Sequence, residues 1–484
     1  MRIRRRQGRP MRLQGRIRHR RQPLHRPLQQ AAPQVHRILR QPGQIHPRPA
    51  DKDVLPLPVI IEKTILSSKK PAWENETMHI ESLMVKNIGP FDVLNAEFNP
   101  KINVIVGANG IGKTSLLRCI TYCLTANNME NIRMRKGAML KLNCNQNIRK
   151  CTYGADDLVN KDQGYRTINI NNWNVTPHDG YDPVFIHQQD KDYNLLAIGA
   201  YRYFSYQKIG GMTRESAVVQ RRREYLQNNP RYLESIEMPN IKQWMINRYF
   251  QIEKDWASVE RKNWNALMSQ LNTIAPQNSQ FKFVRIERDL EPIFSLNGKE
   301  CYLEELSSGY KSILSIVFLI VDWIEGVNEE NAGLIENAEG TILIDEIDAH
   351  LHPSWQATIL DSLRTLFPNL QFIVTTHSPN VIMSARDNEV IIFNNENGNV
   401  DIKPEKRSYG AWQISSVLSD IMQSPNLDRV SIAQNVLNLN EAYASKNIDV
   451  FRSELKILEE MLCPNDPILK VYRLNLLELG MLND

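Results

Sequence analysis

A chain of 484 residues with 42% hydrophobic and 23% charged side chains can bury a large core, and its length predicts about two to four structural units. The overall charge of +5 is misleading. Residues 1–50 hold fourteen Arg, seven Pro and eight Gln with no Asp, Glu or Lys, while the remainder carries 45 Lys and Arg against 54 acids, a net of −9. The longest apolar run, near residues 313–321, is much shorter than the ~20 residues of a membrane span, so a spanning helix is excluded and a cytoplasmic protein is expected. Six cysteines (119, 123, 144, 151, 301 and 463) form no Cys-x-x-Cys pair and read as reduced packing residues.

Residues 1–77 read as a basic, disordered extension and linker, too polar and too Pro-broken to build a core. A basic tail can neutralise nucleic-acid phosphates. A vector-derived leader or an upstream start codon produces the same composition, and this second reading is preferred because Met78 opens the strand that leads into the first motif. Alternating patterns at 80–85 and 91–98 predict two strands, followed by a buried strand at 102–106, a Gly-rich turn and a helix, so that 78–126 forms one lobe. Residues 127–280 read as an insertion. It is irregular to about Gly180, where Asn, Lys and Gly dominate, and then helical over 212–272 without a sustained heptad seam. Strand character returns at 281–286, and 281–395 complete a second lobe. Residues 396–484 read as a helical region, with apolar helical spacing at 436–443, 451–462 and 468–479, the last started by Asn465-Asp466-Pro467.

Gly107-Ala108-Asn109-Gly110-Ile111-Gly112-Lys113-Thr114 fits the phosphate-binding pattern G-x-x-x-x-G-K-[ST], between an apolar strand and a helix as that loop requires. The glycines let backbone N–H groups turn inward around phosphates, and the helix offers its positive end. Asn109, Gly110, Ile111, Gly112, Lys113, Thr114 and Ser115 are therefore the candidate nucleotide contacts, with Lys113 reaching the β and γ oxygens and the Thr114 hydroxyl ligating Mg²⁺. A Gly-rich connector is the plain alternative, and the flanking strand and helix disfavour it. Downstream, Thr341-Ile342-Leu343-Ile344-Asp345-Glu346 is an apolar strand ending in two acids. Solubility alone can place acids there. In combination with the loop, Asp345 would bind Mg²⁺ through water and Glu346 would take a proton from the water attacking the γ-phosphate. A further apolar strand delivers His377, beside Ser378 and Pro379, to contact the γ-phosphate or order the attacking water.

Together with Leu306-Ser307-Ser308-Gly309, these motifs resemble the ABC ATPases of the SMC, RecF and OLD-like group over residues 78–395. The resemblance implies an α/β fold: an ABC-type P-loop ATPase head with a mixed sheet flanked by helices, a helical insertion and a C-terminal helical region. It also implies ATP and Mg²⁺ as cofactors. Two copies would pair as an ATP sandwich, in which Ser307 and Gly309 of one complete the site of the other. Leu-Ser-Ser-Gly alone is more often a helix cap, but its place before the apolar helix at 313–323 favours the signature reading. Ser308 and Tyr310 depart from the Gly and Gln of transporter ATPases, and Asp348-Ala349-His350-Leu351-His352-Pro353 departs from their loop. His350 and His352 lack a third ligand, so a structural role is preferred to a metal site. A magnesium-ligating glutamine is expected between loop and signature, with Gln188 or Gln189 as candidates.

OLD-like nucleases continue into a carboxylate-bearing metal domain, whereas 107 residues follow His377 here and read as helices, and no His-Asn-His pattern occurs. With the stretch Leu-Ala-Ile-Gly-Ala-Tyr-Arg at 196–202, the architecture is similar to the PtuA ATPases of Septu and Septu-bearing retron antiphage systems, whose nuclease is a separate HNH protein of the PtuB kind. That resemblance implies an ATPase regulating a DNA nuclease in trans, as dimers or larger homo-oligomers, with no membrane partner. Arg133, Arg135, Lys136 and Arg221 to Arg223 are candidates for contact with DNA or the partner, although solvated faces are the more ordinary explanation. The main rival is a RecF-like DNA repair and maintenance ATPase. A transporter ATPase is disfavoured by the long stretch between Lys113 and Ser307, and a non-hydrolysing scaffold by the intact Glu346.

Overall fold

Five parallel strands carry the head. A computed structural model describes residues 77–481 except 126–131, 146–149, 160, 163–173, 178–192, 203–205, 237, 276–278, 395–396, 423–426 and 463–465. Strands and helices are numbered in chain order. The parallel sheet runs β13 (Val390–Ile392), β3 (Ile102–Val106), β12 (Leu370–Thr375), β11 (Gly340–Ile344) and β7 (Leu195–Ile198). Its strands β3, β11 and β12 are buried at every position, because a sheet covered on both faces needs apolar residues in both directions.

A second sheet of six strands follows the order β14 (Asn399–Ile402), β2 (Phe91–Glu97), β1 (His79–Ile88), β4 (Met134–Asn145), β5 (Lys150–Ala155) and β6 (Asn174–Pro177), antiparallel except where β14 meets β2. A third, antiparallel sheet consists of β8 (Lys282–Ile286), β9 (Pro292–Leu296) and β10 (Lys299–Tyr302).

The parallel sheet separates two apolar cores. On one face Ile105, Leu343 and Ile373 pack with Leu116, Leu117 and Ile120 of α1 (Lys113–Thr125) and with the inward residues of the six-stranded sheet. On the other, Val104, Ile342, Ile344 and Val374 pack with α5 (Ser308–Val327). The same core takes in residues of α3 (Ile241–Gln251), α4 (Ser258–Ile274), α6 (Pro353–Gln356), α7 (Ile359–Leu366) and α8 (Pro379–Ser384). Helix α2 (Val218–Leu233) closes the sheet edge at β7: Asn229 accepts from the Ala197 N–H at 2.8 Å and donates to the Leu195 carbonyl at 2.9 Å. An edge strand is thereby denied to outside pairing. After the short α9 (Ile414–Ser416), the helices α10 (Leu427–Ala444), α11 (Ile448–Met461) and α12 (Pro467–Met481) share a core of their own around Leu439, Phe451, Leu458 and Leu469.

Two expectations need correction. Residues 134–145 and 150–155 are strands, not an irregular connection, and β4 pairs with β1 from Ile80↔Cys144 to Ile88↔Met134. The inward positions of β4 are Met134, Ala138, Leu140, Leu142 and Cys144, and the Lys and Asn between them conceal the alternation in a composition count. The strands also run past Asn394 to Ile402, where β14 adds to the second sheet. Helices are present within 212–272, and those expected around 436–443, 451–462 and 468–479 correspond to α10, α11 and α12.

Candidate nucleotide site

Parallel strands deliver their C-terminal ends to one edge of a sheet, where α/β folds place ligands. The loop 107–112 follows β3; the neighbouring β12 ends at Thr375, before His377; and the next strand, β11, ends before Asp345 and Glu346. Motifs dispersed over the chain meet because these three strands are adjacent.

Gly112 has φ +115°, and a Cβ there would sit 3.0 Å from the ring of Phe91, so only glycine lets α1 begin against β2. Lys113 opens α1, is 6% exposed, and donates through Nζ to the carbonyls of Gly107 at 2.8 Å and Ala108 at 2.9 Å. Its ammonium thus lies against the loop that precedes it. Burial lowers its pKa, and the charges of Asp345, Glu346 and Asp348 oppose that shift.

The acids are held from three sides. Asp345 is buried; its Oδ2 accepts from Thr114 Oγ1 at 2.9 Å and its Oδ1 from Thr375 Oγ1 at 2.6 Å. The Thr375 hydroxyl also accepts from the Glu346 N–H at 2.8 Å. Glu346 is exposed and adopts φ +47°, which turns the chain sharply after β11. His377 is half-buried, and its backbone N–H donates to Asp348 Oδ1 at 3.2 Å, which also accepts from Thr376 Oγ1 at 2.5 Å. Burial, then the charge of Lys113, lowers the His377 pKa, which favours the neutral imidazole, a form that can accept a hydrogen bond.

A threonine hydroxyl and a carboxylate are hard oxygen donors, the kind Mg²⁺ takes from protein when phosphates and water complete its shell. Among the described residues no group of three or more His, Cys, Asp or Glu could hold a metal. Gln188 and Gln189 lie outside the described residues. His352 caps α6, accepting from the Ser354 N–H at 3.3 Å, so that histidine has a local structural role.

Ser307 occupies the N-cap position of α5 and is exposed, yet its side chain caps no amide. Its hydroxyl is therefore available to something other than its own helix. A Cβ on Gly309 would lie 2.4 Å from Trp355 Cζ3, so glycine is needed where α5 meets α6. The structure thus brings together the loop, Thr114, Asp345, Glu346 and His377, whereas Ser307 and Gly309 sit at the start of a separate helix. Of the basic candidates, Arg135 pairs with Asp92, Arg221 with Asp322 and Glu215, and Arg222 with the Val327 carbonyl at 2.9 Å; Arg133 and Lys136 are exposed. Thr375 and Arg202 received no role from sequence. The signal for Thr375 was a hydroxyl at the end of a buried strand, and for Arg202 a cation four residues after the end of the apolar β7.

A parallel sheet with a Gly-rich loop leading into a helix, an acidic pair at a strand end and a helix on its other face has the fold of an ABC-type ATPase head. The chain belongs to the RecF/RecN/SMC N terminal domain family, whose model matches residues 79–401. It is 25% identical to the Septu protein PtuA of Bacillus thuringiensis over 411 residues, covering 83% of this chain and 98% of that protein. It is 30% identical to the Retron Ec83 probable ATPase of Escherichia coli over 192 residues, 39% of this chain and 35% of that one. The SMC head domain from Thermotoga maritima aligns with 67% of this chain and 98% of its own at 16% identity and a TM-score of 0.39. Among the described residues no helix is long and apolar enough to cross a membrane.

Proposed function

We propose that the chain hydrolyses ATP as a head-to-head homodimer and that its nucleotide state governs a separate HNH-type DNA nuclease in antiphage defence. The observation that carries the ATPase reading is the shared hydroxyl of Thr375, which orients the Asp345 carboxylate and the Glu346 amide together, while Thr114 reaches the same carboxylate from the phosphate loop. In this reading backbone N–H groups from Asn109 to Ser115 cradle the phosphates and Lys113 leaves the Gly107 and Ala108 carbonyls for the β and γ oxygens. Thr114 and Asp345 would hold Mg²⁺, which supplies charge neutralisation on those oxygens. Glu346 accepts the proton of the attacking water, and the neutral His377 positions that water or the γ-phosphate. Ser307 and Gly309 of the second copy close the site.

The defence role is supported by the extent of similarity to a Septu protein, which spans nearly that protein's whole length. The test is co-expression with the adjacent gene product, followed by cleavage assays on duplex and single-stranded DNA with and without ATP. Cleavage that needs both proteins and shifts with Lys113→Ala or Glu346→Gln supports the proposal. ATP-dependent DNA binding without a nuclease, lost in Lys113→Ala, would instead indicate a RecF-like repair ATPase.

A further inference from the structure

The loop that carries the acids rests on a buried guanidinium that none of the motifs accounts for. Arg202 follows β7, is 3% exposed, and uses four donors: Nε to Ser312 Oγ at 3.1 Å, Nη1 to the carbonyls of Gly199 at 2.8 Å and Asp345 at 2.9 Å, and Nη2 to the Glu346 carbonyl at 2.7 Å. Every one of these acceptors is a neutral oxygen. A buried cation whose hydrogen bonds all go to neutral groups is expensive, and burial accordingly lowers its pKa to about 10, against the opposing charges of Asp348, Asp345 and Glu346. An apolar side chain of similar length would leave the carbonyls of Gly199, Asp345 and Glu346 without this donor.

The donors have a pattern. Two neighbouring nitrogens of the planar fork grip two consecutive carbonyls, those of Asp345 and Glu346, at the point where Glu346 turns to φ +47°. The third side of the fork meets Ser312, about one turn along α5 from Ser307 and Gly309. Ser312 in turn donates to the Ala349 carbonyl at 3.2 Å, and Ser315 donates to the carbonyl of Arg202 itself at 3.2 Å. The first turns of α5 and the loop after β11 are therefore joined twice, through the Arg202 guanidinium at Asp345 and Glu346 and directly from Ser312 at Ala349.

We propose that Arg202 is a positioning residue that couples the signature end of α5 to the backbone of Glu346, so that engagement of Ser307 and Gly309 with the nucleotide of a second copy is felt at the acids of the same chain. This rests on the ATP-sandwich reading above. Movement of the first turn of α5 shifts Ser312, Ser312 shifts the guanidinium, and the guanidinium shifts the two carbonyls that fix where the Glu346 side chain leaves the chain. Lysine keeps the charge but presents a point rather than a fork and cannot hold both carbonyls in that geometry.

The experiment compares wild type with Arg202→Lys, Ser312→Ala and Ser312→Thr, measuring ATP turnover, affinity for a non-hydrolysable ATP analogue, and amide hydrogen exchange over 345–350. Arg202→Lys is expected to lower kcat by at least about tenfold, as misplacement of a catalytic group does, while analogue affinity changes less than about threefold and exchange over 345–350 quickens. Ser312→Ala should lower kcat by roughly threefold or more and Ser312→Thr, which restores the hydroxyl, should recover it. A parallel fall of kcat and analogue affinity, or a Ser312→Ala protein indistinguishable from wild type, overturns the coupling. If Arg202→Lys does not fold, the Ser312 pair decides. A wild type without ATP turnover defeats the proposed function on its own, and unchanged exchange over 345–350 in the variants still defeats the coupling.

Discussion

Thr114 Oγ1 lies 2.9 Å from Asp345 Oδ2 although 231 residues separate them in the chain. Both oxygens would be ligands, direct or through water, of one magnesium ion, so Thr114→Ala should weaken Mg²⁺-dependent ATP binding. A hydrogen bond to a charged group contributes about 1.5–3 kcal/mol, which sets the expected loss at roughly ten- to a hundredfold. Thr114→Ser should stay close to wild type. Calorimetric titration with and without Mg²⁺ checks this, and an equal loss in the absence of Mg²⁺ would show that Thr114 acts by another route.

Glu346→Gln keeps the backbone that Thr375 and Arg202 hold but cannot take a proton. Turnover should fall by about 10²–10⁴ while ATP binding persists, since that is the range a general base supplies. The ATP-bound dimer should then accumulate and double the mass seen by light scattering. Thr375→Val should lower turnover too, because one hydroxyl orients Asp345 and Glu346 at once. A Gln variant that turns over at the wild-type rate removes Glu346 from the chemistry.

For His377 the sign of the pH effect is fixed by its environment. Burial and Lys113 lower its pKa below the ordinary 6.5, so between the lowered value and 6.5 the unfolded chain binds the proton more readily than the folded one. Stability is then lost as pH falls from 6.5 through that window and is unaffected by this group above it. His377→Gln should flatten the acid side of a melting-temperature profile. Parallel profiles for wild type and variant would mean that His377 is not shielded as described.

Much of the head was legible because burial on both faces leaves predominantly apolar strands at 102–106, 341–344 and 370–375, each followed by a motif. Strand β4 was hidden because its inward face is built from Met, Ala, Leu and Cys between Lys and Asn. The contributions of Arg202 and Thr375 could not be read from spacing. Both act on groups far along the chain, backbone carbonyls in one case and a carboxylate and an amide in the other, and such partners leave no local pattern.

The far end of α5 is anchored by a buried charge cluster, and its response to substitution separates anchoring from catalysis. Arg248 of α3 donates through Nε to Glu325 at 2.5 Å and also pairs with Glu215, while Trp244 and Asn263 donate to the Glu325 carboxylate at 3.2 and 3.1 Å. Burial raises the Glu325 pKa against the opposing pull of Arg248. Arg248→Met leaves that carboxylate buried without its cation, which costs about 3–5 kcal/mol. With the folded-state pKa of Glu325 raised further, the stabilising part of its interaction is fully present below the unfolded carboxylate value of 4.5 and is lost as pH rises toward the folded value, so the penalty should grow from mildly acid to neutral pH. The double variant Arg248→Met/Glu325→Leu replaces the Arg248–Glu325 pair with apolar groups and should recover part of the loss, because an apolar pair does without the desolvation cost while Trp244 Nε1 and Glu215 each lose a partner. Denaturant unfolding of the single and double variants at two pH values checks both statements, and a double variant as unstable as the single one refutes them. Because this cluster grips the last turns of α5 rather than the end that carries Ser307, the recovered double variant should also retain the wild-type kcat.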